Sequence, residues 1–182
     1  KKIVLTKDKS RIVSLAAYSK SIAKILDKYV DIVLVGDSMA NVLYGHKNTH
    51  KLSLENIIAH TISVKMGIKK SLLAVDMPKG SYTSIKKALK NVELVIKKTG
   101  CDAIKLENYK KNYKIVEALV KKKIPVIGHI GYTPQFKKKF KIAGQTKSET
   151  KKLLKEAKLI EKAGAFSIVL ECLSPNSAKL IT

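Results

Sequence analysis

Six short β-branched runs alternate with longer amphipathic stretches, and this alternation constrains the fold more than any other feature of the chain. The runs are Ile12-Val13-Ser14-Leu15, Asp31-Ile32-Val33-Leu34-Val35, Leu72-Leu73-Ala74-Val75, Ala103-Ile104-Lys105-Leu106, Pro125-Val126-Ile127-Gly128 and Ser167-Ile168-Val169-Leu170. Near-continuous apolar runs of this length read as strands buried on both faces of a parallel sheet. The stretches between them carry helical periodicity. Ile85, Ala88, Leu89, Val92, Val95 and Ile96 form one stripe, with Lys86, Lys87, Lys90, Lys97 and Lys98 off it. Ser53, Ser84, Ser148 and Ser174-Pro175 stand where helix N-caps belong, and Gly67, Gly100 and Gly164 where helices end.

Six strands, each followed by a helix, imply a parallel β/α architecture, either a doubly wound sheet or a barrel. No Gly-rich dinucleotide fingerprint follows the first strand and no G-x-x-x-x-G-K-[ST] loop occurs, which lowers the doubly wound nucleotide-binding reading. Residues 99–107 and 163–171 match in form, two β/α units apart, and such repetition suits a barrel. A complete (β/α)8 barrel needs eight units and typically about 250 residues. The 182 residues hold six, so the expected fold is a single, incomplete (β/α)8 TIM-barrel domain over residues 1–182.

Each strand delivers a polar group at its C-terminal end, where β/α barrels build active sites. These groups are Tyr18, Asp37-Ser38, Asp76, Lys105 with Glu107, His129 and Glu171. Alternation puts Val33, Val35 and Asp37 on one strand face, Leu72, Ala74 and Asp76 on another, and Lys105 with Glu107 on a third. In a closed barrel those faces point inward and the groups meet at one mouth. Taken singly, each has a plainer explanation: a turn-forming Asp, an edge Lys, a structural His, a helix-capping Glu. Taken together they do not, because burying three carboxylates at one mouth is costly unless they meet a cation. Asp37, Asp76 and Glu107 are hard oxygen donors with no thiol or paired-His site beside them in sequence, which favours Mg²⁺ over zinc. A 2-keto acid chelates such an ion through its carboxylate and keto oxygens, which acidifies the adjacent C–H. Lys105 then suits the substrate carboxylate, and Glu171 suits removal of the proton.

The net charge of +23 invites a nucleic-acid reading, but its make-up argues against one. Of 37 basic residues only Arg11 is arginine, the residue that nucleic-acid readers use for bidentate base and phosphate contacts. Lysine spread along nearly every helix reads as solvated faces, and no nucleic-acid partner is expected. Cys101 and Cys172 stand far apart without a C-x-x-C spacing, which fits free thiols in a reducing compartment. No apolar run of about 18 residues is present, and Lys1–Thr6 lacks a secretory pattern, so a cytoplasmic protein without membrane spans is expected.

The motifs Leu34-Val-Gly-Asp-Ser38, Asp76-Met-Pro-x-Gly-Ser81, Ile104-Lys-Leu-Glu107, Gly128-His-Ile-Gly-Tyr-Thr-Pro-Gln135 and Val169-Leu-Glu-Cys172 resemble successive signatures of the ketopantoate hydroxymethyltransferases. The resemblance runs in order from about Arg11 to Thr182. It implies a (β/α)8 TIM barrel of the phosphoenolpyruvate/pyruvate-like type, and a cytoplasmic enzyme of pantothenate and coenzyme A synthesis that joins 3-methyl-2-oxobutanoate to the carbon of 5,10-methylenetetrahydrofolate, yielding 2-dehydropantoate. Carried over by position, Asp37 and Asp76 bind Mg²⁺, with Glu107 supporting the metal directly or through its water. Asp37, Ser38, Asp76 and Lys105 contact the keto acid, Glu171 accepts the proton, and His129 lines the site. Large homo-oligomers, commonly decamers, are implied as well.

The chain departs from the family pattern in four places: the segment Gly45–Ser53, Lys79 in place of an aromatic, Asn108-Tyr109 in place of a Gly pair, and the basic tract Lys137–Lys141. These changes bear on pocket shape and lid mobility more than on metal binding. Three alternatives stand beside the leading reading: a related Mg²⁺-dependent 2-keto acid lyase or mutase barrel, an inactive truncated remnant, and a lysine-rich binder.

Overall fold

A computed structural model describes residues 11–137 and 139–182, so Lys1–Thr6 and Lys138 of the basic tract lie outside the described residues. The strand order is β1-β2-β3-β4-β5-β6, with the strands formed by Ser14–Ala16, Ile32–Val35, Leu72–Asp76, Ala103–Glu107, Val126–Gly131 and Ser167–Glu171. Between and after them run α1 (Lys20–Leu26), α2 (Met39–Val42), α3 (Leu54–Lys65), α4 (Ile85–Thr99), α5 (Tyr113–Lys121), α6 (Lys147–Lys162) and α7 (Pro175–Ile181). All six expected strands form, each within a few residues of its sequence run. The chain divides into two compact units, one ending at Ile104 and the other beginning at Lys105.

In the first unit β1 pairs in parallel with β2, and β2 with β3, in the register Ser14↔Ile32 and Ile32↔Leu72. The strands β2 and β3 are almost wholly buried, and α3 covers them with Ile57, Ile58 and Val64. The predicted stripe of α4 buries Ala88, Val92 and Val95. Ser84 Oγ accepts the Lys87 N–H at its start, and Gly100 ends it at φ 61°, a left-handed conformation that glycine adopts without strain. Ser53 caps α3 through a reciprocal box with Asn56.

The acidic residues near the N-terminal ends of strands are structural clamps. Asp31 and Asp102 each stand one residue before a strand and bracket a single residue of the preceding one. The Asp31 N–H donates to Val13 O at 2.9 Å, while its Oδ2 accepts Val13 N–H at 2.8 Å. Asp102 does the same with Leu73, at 2.8 Å in both directions. Asp27, at the C-terminus of α1, accepts the N–H groups of Lys69, Lys70 and Ser71 at 2.9, 2.9 and 2.8 Å. It thereby ties α1 to the entry of β3.

In the second unit β5 and β6 pair in parallel from Ile127↔Ser167 to Gly131↔Glu171. Ile130, Leu153, Ala157 and Ile160 form its core, with Ile168, Leu170 and Leu173 packed against it. Two glycines permit this packing. A Cβ on Gly128 would stand 2.5 Å from Ile160 Cγ2, so α6 seats on β5 only over bare backbone. Gly131, at φ 97°, leaves no room for a Cβ, which would come 2.1 Å from Glu171 O.

Two expectations are corrected. The cap of α6 is Thr146, not Ser148, because Thr146 holds the extended backbone (φ −110°, ψ 157°) that lets its Oγ accept Glu149 N–H. The runs forming β1 and β6 are also not buried: β1 is exposed and β6 half-buried along its length. Both end the strand order, so each has one strand neighbour where the inner strands have two.

Burial by itself raises the Asp27 carboxyl, but the N–H groups of Ser71, Lys70 and Lys69 outweigh that and hold it at about 2, below its ordinary 3.8. Its contribution to stability is therefore full above about pH 4 and is lost as pH falls toward 2. Asp27→Asn is expected to cost about 2 kcal/mol in urea unfolding at pH 7, with the gap to the parent closing over that acid window. Equal midpoints at pH 7 would contradict this role.

Candidate active site

In the first unit the C-terminal ends of β2 and β3 carry buried acids. Val35 and Val75 are register partners, and the chain continues from them into Asp37 and Asp76, which are 4% and 2% exposed. Ser38, at the start of α2, makes no cap with its side chain. Its Oγ instead lies 2.7 Å from the Tyr18 hydroxyl, beyond the end of β1. Tyr18 is in turn fixed by His60 of α3, whose Nδ1 stands 2.7 Å from Tyr18 O. A carbonyl only accepts, so Nδ1 carries the proton and Nε2 accepts from the Tyr44 hydroxyl at 2.9 Å. This chain of contacts links residues 18, 38, 44 and 60, and nothing local in the sequence announces it. Tyr18 stood among the strand-end residues, but neither His60 nor Tyr44 did.

The motif after β3 shapes its own turn. Gly80 sits at φ 85°, and Pro78 O accepts both Ser81 Oγ (2.7 Å) and Ser81 N–H (3.1 Å). Ser81 O takes the Asn91 amide at 2.6 Å, anchoring the turn to α4. Two of the departures from the family pattern meet here: Lys79 Nζ lies 3.2 Å from His50 Nδ1, within the altered Gly45–Ser53 segment.

The second unit gathers Lys105, Glu107, His129 and Glu171. Lys105, Glu107 and His129 are 5%, 0% and 1% exposed, whereas the Glu171 side chain is 39% exposed. Glu107 Oε2 accepts the Gln135 N–H at 3.1 Å, which explains the placement of the Gly128–Gln135 motif. His129 lies within β5, not beyond its end, with Nε2 3.1 Å from Glu171 Oε2 and Nδ1 3.9 Å from Glu107 Oε1. The contact with Glu171 is close without the alignment of a full hydrogen bond. Burial pushes the imidazole below its ordinary range, the neighbouring Glu171 pulls it up, and Lys105 pushes it down again. At neutral pH His129 is accordingly a neutral ring between two carboxylates.

The donor set fits a small, hard cation. Two carboxylates withdrawn from water beyond the ends of neighbouring strands, with oxygen donors alone, suit an ion that keeps part of its shell for water and substrate. Among the described residues no group of three or more His, Cys, Asp or Glu is placed to hold a metal ion. Among the same residues no helix is long and apolar enough to cross a membrane, and Cys101 and Cys172 are free thiols.

The fold is similar to that of known proteins. Solved structures similar in fold include 2,3-dimethylmalate lyase, a PEP mutase/isocitrate lyase superfamily member (TM-score 0.73, 18% identity, 98% of this chain and 64% of that one). A phosphonopyruvate hydrolase complex with oxalate and Mg²⁺ is also similar, with a TM-score of 0.74, 13% identity, and coverage of 98% and 65%. They establish the fold: six parallel β/α units of the barrel type, covering part of a full barrel. Among curated relatives, the 3-methyl-2-oxobutanoate hydroxymethyltransferase of Pelagibacter ubique is 52% identical over 176 residues, 97% of this chain and 68% of that protein. The chain spans about two thirds of the length of the curated relatives it matches. A profile of the family described as ketopantoate hydroxymethyltransferase matches residues 2–182, and the chain belongs to that family.

Proposed function

We propose that the protein transfers a one-carbon unit from 5,10-methylenetetrahydrofolate to 3-methyl-2-oxobutanoate, with water as the third reactant, giving 2-dehydropantoate and tetrahydrofolate. The observation that carries this reading, beside family membership, is the set of buried ionisable groups at strand C-terminal ends, with one carboxylate, Glu171, open to solvent. Asp37 and Asp76 would hold Mg²⁺, with Glu107 supporting it. The ion supplies Lewis-acid polarisation of the keto acid when bound.

The protein's own groups do the rest. The Ser38 hydroxyl, oriented by Tyr18, contacts the keto acid together with Asp37 and Asp76. Lys105 neutralises the substrate carboxylate, and its burial strengthens that attraction. Glu171 removes the C3 proton, leaving a carbon nucleophile that attacks the methylene carbon. His129 lines the site beside that base, with its Nε2 3.1 Å from Glu171 Oε2. In keeping with the family, the enzyme works as one barrel domain in the cytoplasm, as a homo-oligomer of decamer type, in the synthesis of pantothenate and coenzyme A.

Deuterium exchange at C3 of 3-methyl-2-oxobutanoate, followed by NMR without folate, isolates the proton step. Exchange is expected to require Mg²⁺, stop with EDTA and resume when Mg²⁺ is restored. It should fall about 100-fold or more in Glu171→Gln. Exchange indifferent to EDTA, or unchanged in that variant, would contradict the assignment. Titration calorimetry checks the metal separately: Asp37→Asn should weaken Mg²⁺ binding about tenfold or more, and full affinity in that variant would remove Asp37 from the ligand set.

A further inference from the structure

Within the second unit, a cavity of about 600 Å³ opens between the segment after β4, the segment after β5 and α6. Such a volume holds a small molecule. Lys110, Lys137, Lys139, Lys141 and Lys152 line it. We propose that it binds a small polyanion, a molecule carrying two or more carboxylate or phosphate groups, at a site apart from the residues assigned to the transfer reaction.

Lysine is abundant throughout the chain, so number alone decides nothing. Geometry separates these lysines from the rest. On α4, Lys86, Lys87 and Lys90 lie off the apolar stripe of a convex helix, where ammonium groups diverge into water. Around the cavity they face a shared concave volume whose wall includes Ala143 and Leu153, and low-dielectric walls focus the field between like charges. Five lysines stand against two acids, Glu149 and Glu156. Glu149 and Lys141 are committed to each other at 2.8 Å, Glu149 also accepts the Gln145 N–H at 3.0 Å, and Lys137 Nζ donates to Gly131 O, so the charge offered to a ligand comes chiefly from Lys110, Lys139 and Lys152. Glu156 is pushed up by burial, with Lys137, Lys152 and Asn108 opposing that shift.

Asn108 also lines the cavity, with its side chain hydrogen-bonded to Glu156. Two of the family departures contribute to this wall: Asn108-Tyr109, and Lys137, Lys139 and Lys141 of the basic tract. The Tyr109 ring is already stacked on Phe136 at 4.4 Å and covered by Lys110 at 5.3 Å, so the ligand needs charge more than an aromatic ring.

Titration calorimetry of the Mg²⁺-free protein, at constant ionic strength, tests this with two probes. Citrate presents carboxylates and a hydroxyl; tripolyphosphate presents phosphates. At least one is expected to bind once per chain with Kd on the order of 1 mM or tighter. Lys110→Ala/Lys152→Ala should weaken that binding about tenfold, while Lys86→Ala/Lys90→Ala on α4 changes it less than about twofold. Binding by citrate alone or by tripolyphosphate alone supports the site and identifies its anion. Failure of both to bind, several equivalents per chain, or equal loss in the two double variants overturns the proposal. None of these readouts depends on hydroxymethyl transfer.

Discussion

A charge taken out of water must meet an opposite charge, a set of hydrogen-bond donors or a bound ligand, and the placement of acids along the strands follows from that requirement. Near strand N-terminal ends the acids are answered from within the fold. Asp27 receives three consecutive N–H groups, and Asp31 and Asp102 each clamp one residue of the preceding strand. Toward the C-terminal ends the buried groups are Asp37, Asp76 and Glu107, with Lys105 inside β4 and His129 inside β5. In a parallel β/α fold the first end holds the sheet together and the second presents chemistry.

The strands were legible because parallel, doubly covered strands need continuous β-branched runs, and the chain has six of them. The C-terminal-end residues were legible for a related reason: an ionisable group that closes such a run stands out against it. Depth along the strand was less so. His129 read as a strand end but lies inside β5, because pairing continues to Gly131↔Glu171, where only a glycine leaves space for Glu171 O. Ser148 read as a cap from composition, whereas backbone geometry selects Thr146 two residues earlier.

Contacts across the fold were not legible at all. Asp27 looks like any acid near a helix end, and its partners at 69–71 come from another element. His60 and Tyr44 carry no motif, yet they fix the strand-end Tyr18 that orients Ser38. Lys79 and His50 looked like separate departures from the family pattern and prove to be neighbours. Three-dimensional pairing supplies such information, and spacing along the chain does not. The weak cover on β1 and β6 likewise depends on strand order, which no single run reveals.

The central claim is that the strand-end groups perform one-carbon transfer. It is tested most directly with 5,10-methylenetetrahydrofolate labelled with ¹³C at the methylene carbon. The account predicts that, with Mg²⁺ and 3-methyl-2-oxobutanoate, the label appears in the hydroxymethyl group of 2-dehydropantoate, and that Glu171→Gln abolishes its appearance. Label that stays on the folate in the parent protein, or transfers equally well in Glu171→Gln, would contradict it.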